Sequence, residues 1–138
     1  MSFSFKYKPI ILKGGSLMYR PMIPLTLKGN ESIDIIGILD SGSDMSIIPK
    51  TIADLLGIHL LEDNEVFGIG GIPIKTKQGK ARVAFGKGRE FYEFEIPVLV
   101  PLDKEDVAII IGRFGFFNQF KITFDESSKK VEFKKMSI

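Results

Sequence analysis

The run Ile35-Ile36-Gly37-Ile38-Leu39-Asp40-Ser41-Gly42 sets an acid at the end of an apolar segment. Burying a carboxylate is expensive unless the group is paired or put to use. Ser41 places a hydroxyl beside the acid, and Gly42 lets another backbone approach closely. Asp44 follows at once, and Ser46-Ile47-Ile48 returns to apolar character. A carboxylate so placed could act as a general base on water. The triplet alone is a weak signal: Asp-(Ser/Thr)-Gly arises by chance in about one chain of this length in fifteen. An Asx turn capping a strand is the plain alternative. The flanks sharpen it. A second apolar segment, Val107 to Ile111, ends in Gly112-Arg113, and a glycine-rich stretch from Phe67 to Ile74 lies between the two.

Other chemistries find little support. With no cysteine in the chain, thiolate nucleophiles, disulfides and cysteine metal sites are excluded. The single histidine, His59, has apolar neighbours and no serine partner, and reads as a surface residue after a short helix. No metal site is expected. Gly68-Ile69-Gly70-Gly71 lacks the following lysine-serine pair and helix start of a phosphate loop.

The elements that must position Asp40 are mostly strands. Phe3 to Lys8 alternates apolar and polar, the period of a half-buried strand. Tyr19 to Leu27 reads as an edge or bent strand, because Pro21 and Pro24 cannot donate to a ladder. Ser32 to Leu39 leads into Asp40. Pro49 opens a short helix with Ile52, Leu55 and Leu56 on one face and Gly57 at its end. Phe67 to Ile74 is a hairpin candidate. Gly79 to Phe85 and Phe91 to Val100 are strands that turn at Gly86 to Gly88. Val107 to Ile111 is a further strand, Phe114 to Phe120 a short helix, and Lys121 to Phe124 with Lys130 to Phe133 a closing hairpin. Many short strands at regular spacing imply an all-β, closed β-barrel with one or two short helices.

The totals agree with an ordinary globular chain. At 138 residues, one domain spanning 1–138 is expected, with 1–15 as an N-terminal extension. Hydrophobic residues make up 44% and charged residues 26%, and the net charge of +2 is too small to argue for nucleic acid or membrane. The lysines at 129, 130, 134 and 135 read as a solvated edge strand. No stretch reaches the ~18 apolar residues of a membrane span, and a cytoplasmic protein is expected.

An apolar-apolar-Asp-Ser-Gly-Ser segment at 38–43, a glycine-rich segment at 67–74, and Ile110-Ile111-Gly112-Arg113, in that order, resemble the retropepsin-like aspartic proteases. The resemblance covers about Leu25 to Phe133. The helix after the motif and the closing Phe120-Lys121-Ile122-Thr123-Phe124-Asp125 segment look more like cellular and prokaryotic members than viral ones. The resemblance implies an aspartic endopeptidase acting on polypeptides without a cofactor. Only one such motif is present, so a homodimer must bring two copies of Asp40 together. It further implies that Ser41 hydrogen-bonds across the dimer and that Gly42 offers its carbonyl to substrate. Asp44 pairs with Arg113 and faces the substrate backbone, while Gly112 supports the site. Ile69, Gly70 and Gly71 belong to a flap closing over the peptide, and Ile47, Ile48, Ile69, Ile72 and Ile74 are candidate pocket walls. Two features depart from the pattern: serine replaces the commoner threonine at 41, and Phe114-Gly115 stands where Asp or Asn often follows Gly-Arg. A non-catalytic dimerisation or peptide-binding module of the same fold is the alternative.

Overall fold

The computed structural model describes residues 1–61, 63–67 and 73–137. Twelve strands and one α-helix are found there. In chain order they are β1 (Ser2–Lys6), β2 (Lys8–Ile11), β3 (Leu17–Arg20), β4 (Met22–Lys28), β5 (Ser32–Leu39), β6 (Ser46–Ile47), α1 (Lys50–Leu56), β7 (Asp63–Phe67), β8 (Pro73–Lys87), β9 (Glu90–Pro101), β10 (Ile110–Ile111), β11 (Phe120–Asp125) and β12 (Lys130–Lys135), with a 3₁₀ turn at Phe117–Gln119 before β11.

Strands β4-β5-β10-β6-β9-β8 hydrogen-bond in that order, and β8 returns to β4 through Thr26–Lys28 against Arg82–Ala84. The ring therefore closes as a six-stranded barrel, with β7 added outside β8. Alternation builds its wall. On β5, Ile35 and Leu39 point inward and are buried, whereas Asp34 and Ile36 face out. On β8, Ala81, Val83 and Phe85 fill the interior, with Ile96 of β9 beside Ala81 and Phe94 beside Val83.

A second sheet, β1-β12-β11, closes one side of the barrel. Six phenylalanines join the two layers. Phe85 of the barrel lies 4.8 Å from Phe133, 5.4 Å from Phe3, 5.2 Å from Phe116 and 5.5 Å from Phe120 between ring centroids, and Phe94 completes the group. Tilted and edge-on pairs of this kind add about 0.5–1.5 kcal/mol each beyond their burial.

Several expectations change. The strand read over Phe3 to Lys8 ends at Lys6, its Phe3 is core, and the adjoining Tyr7 is 6% exposed; β2 and β3 then make a separate hairpin. β4 is a barrel strand, not an edge. It accommodates Pro24 because β8 reaches only Thr26–Lys28, so the missing donor costs no ladder bond on that side. The lysine-rich β12 is the central strand of its sheet, with Lys130 and Lys134 on the solvent face. α1 buries Ala53 and Leu56, but Leu55 is 51% exposed. The apolar stretch 107–111 contributes only two residues of strand, and 117–119 form a single 3₁₀ turn.

Candidate active site

Three neighbouring barrel strands build the site. β5 ends at Leu39, the chain loops through 40–45, and β6 runs back. β10, from far downstream, lies between them, parallel to β5 (Ile110 beside Ile38) and antiparallel to β6 (Ile110 beside Ile47). The loop carrying Asp40 is thus fastened to residues that follow β10. The Asp40 N–H donates to the Ile111 carbonyl at 3.0 Å, the Arg113 N–H to Ser43 at 2.8 Å, and the Phe114 N–H to Asp44 at 2.8 Å. The Gly112 N–H donates to Ser46 Oγ at 2.9 Å. Gly112 is required there: a Cβ would stand 2.4 Å from the Met45 carbonyl oxygen.

Asp40 is half-buried. Its Oδ1 accepts the Gly42 N–H at 2.9 Å, so the Asx turn weighed from sequence is present. The turn engages one oxygen of the carboxylate. No ion pair involves Asp40 among the described residues, and Oδ2 is left for another partner. A side chain at 42 would put its Cβ 3.3 Å from that same Oδ1, tighter than ordinary contact. Gly42 therefore serves as amide donor and as clearance for the acid. Ser41 is exposed at the tip of the turn, and its hydroxyl makes no hydrogen bond among the described residues.

Arg113 Nη2 donates to Asp44 Oδ1, joining the two chain segments at the surface. The side chains are 52% and 60% exposed. Of the candidate pocket walls, Ile48 is 1% exposed and belongs to the core, while Ile47 and Ile74 are half-buried. Ile69, Gly70, Gly71 and Ile72 lie outside the described residues; Phe67 and Pro73 pair antiparallel. His59 is exposed.

Two polar residues escaped sequence reasoning. Ser46 is fully buried and accepts the Gly112 amide. Its signal was a hydroxyl inside the apolar run Met45–Ile48. Asn118 is the other: its Oδ1 accepts the Gly115 N–H at 3.0 Å. Phe114-Gly115 supplies no polar side chain after Gly112-Arg113, and Asn118 provides a side-chain acceptor from three residues beyond Gly115.

Neither a family model nor a curated protein matches the chain. Solved structures do. The crystal structure of a retropepsin-like aspartic protease from Rickettsia conorii is similar at a TM-score of 0.58 and 18% identity, over 96% of this chain and 91% of that one. EIAV protease complexed with the inhibitor HBY-793 is similar at a TM-score of 0.49 and 22% identity, over 68% of this chain and 82% of that one. The chain has a retropepsin-like fold, as its three sequence segments implied.

Proposed function

We propose that the protein is an aspartic endopeptidase whose site is completed by a second copy of the chain. The observation that carries this reading is Asp40: a half-buried carboxylate at a strand end, with one oxygen fixed by Gly42 and no charged partner among the described residues. The retropepsin-like fold supports it.

In this reading the two Asp40 carboxylates meet at a two-fold axis. Adjacent carboxylates cannot both ionise cheaply, so the pair holds one proton between them. The ionised member takes a proton from a bound water, and the water oxygen attacks the peptide carbonyl. The protonated member polarises that carbonyl, and the pair then delivers a proton to the leaving nitrogen as the C–N bond breaks.

Ser41, exposed at the turn tip, reaches toward the partner copy and locks the two loops. Gly42, whose amide is committed to Asp40, offers its carbonyl to an extended peptide. Asp44 faces the substrate backbone, oriented by Arg113. Gly112 holds the loop from behind, and Ile69, Gly70 and Gly71 are the proposed substrate-binding residues.

The test is incubation of the purified chain with an unfolded protein from acid to neutral pH, beside Asp40→Asn. Cleavage by the parent and none by the variant is expected. A folded, dimeric parent that cleaves nothing would contradict general proteolysis and favour a binding module.

A further inference from the structure

The hairpin β2–β3 turns its apolar side to solvent. Alternation puts Pro9 and Ile11 of β2 on one face with Leu17 and Tyr19 of β3. Pro9 is exposed, and Ile11, Leu17 and Tyr19 are 75%, 55% and 44% exposed. On the opposite face Lys8, Ile10 and Arg20 are half-buried. A sheet with one solvated face usually points its polar side chains outward. Contiguous exposed apolar residues mark an interaction site or groove.

The two edges of this hairpin differ. The Leu12 N–H donates to the Ser16 carbonyl at 2.8 Å, next to the Ile11–Leu17 pair. Alternation along the ladder then makes Ile10–Met18 and Lys8–Arg20 hydrogen-bonded pairs, and turns the backbone groups of Ile11–Leu17 and Pro9–Tyr19 outward. On β2 an outward position holds Pro9, which has no N–H and guards that edge. On β3 the outward amides belong to Leu17 and Tyr19, and β3 pairs with β2 alone. This open edge leads to the acid. Pro21 lies two residues past Tyr19, at most ~7 Å of chain. Its carbonyl accepts the Leu39 N–H at 2.9 Å, and Leu39 precedes Asp40.

We propose that the open edge of β3 takes an extended, acidic segment of the polypeptide substrate as an added strand, apart from the residues that hold the bond to be cleaved. Charge selects the occupant. Residues 8–20 carry Lys8, Lys13 and Arg20 and no acid. Lys8 stands directly opposite Arg20, a like-charge pair that costs stability. None of the three cations makes an ion pair among the described residues. A carboxylate of the added strand beside Arg20 relieves that repulsion. On the other face, its apolar side chains extend the layer of Leu17 and Tyr19. In strand addition the main-chain bonds supply affinity, and alternate side chains supply selectivity.

This edge rests on the protease reading for its occupant, and its test separates the two. The probe is casein, an unfolded and acidic protein, beside a short uncharged peptide. Leu17→Asp places an acid on the exposed face. Tyr19→Pro removes one outward amide and no bond of the β2–β3 ladder. Each variant is expected to raise KM for casein about tenfold with kcat unchanged, the pattern of lost uniform binding, and to leave KM for the short peptide as in the parent. An unchanged casein KM in either variant, or an equal rise for the short peptide, overturns the proposal and leaves the protease reading standing. A parent that cleaves nothing contradicts the protease reading, and binding of fluorescent casein then decides the edge alone. Weaker binding by both variants supports it, and equal binding overturns it. A fall in mass by light scattering in Leu17→Asp gives the face to a second copy. Binding of the parent but not of Leu17→Asp to phosphatidylserine vesicles gives it to a membrane. Either result overturns the proposal.

Discussion

Ser46 Oγ is the acceptor for the Gly112 amide inside the protein. Ser46→Ala leaves that amide without its partner, and a buried unsatisfied donor costs about 1–3 kcal/mol. Urea unfolding should show a loss in that range, and cleavage should fall as the Asp40 loop loosens. Arg113 behaves differently. Its pair with Asp44 is more than half exposed on both sides, and exposed pairs contribute about 0–1 kcal/mol. Arg113→Met is therefore expected to leave the thermal midpoint nearly unchanged while raising KM for a peptide, because Asp44 loses its orientation. A large drop in stability with unchanged KM would make the pair purely structural. The turn at Asp40 and Gly42 and the pairing of Asp44 with Arg113 were legible in the sequence, from the order of the segments that carry them. Ser46 and Asn118 were not, because a single polar residue in a loop or an apolar run says nothing of which distant amide it will meet.

Among the elements, those dominated by local chemistry could be read directly. β5 follows its apolar run to Asp40, α1 starts after Pro49 and ends at Gly57, which takes a left-handed φ of 71°, and the β11–β12 hairpin sits where the turn residues place it. What could not be read was set by neighbours far away in sequence. β10 is two residues long only because β5 and β6 flank it there. The central place of β12 depends on β1, more than a hundred residues earlier. The β11–β12 turn carries its own pH dependence. The Ser128 amide, and next the Ser127 hydroxyl, hold Asp125 down to about 2 from 3.8. A carboxylate whose folded pKa lies below its unfolded value stabilises fully above the unfolded value, and that contribution fades as pH falls toward the folded one. Asp125→Asn should thus be less stable than the parent near neutral pH. The difference should shrink between about pH 4 and pH 2, as followed by thermal unfolding across that range. A gap that stays constant through that window would contradict the assignment.

At the scale of the molecule, the barrel positions one carboxylate at the end of β5. Each copy is, in this account, half of an active site. Mixing tests that directly. The parent and Asp40→Asn chains are unfolded together, refolded in varied proportion at fixed total concentration, and assayed on an unfolded protein substrate. If two Asp40 carboxylates are needed at one axis, only parent–parent dimers work, and activity falls as the square of the parent fraction. Activity that falls in simple proportion to the parent fraction would mean that each chain works with its own Asp40, and would contradict the shared site.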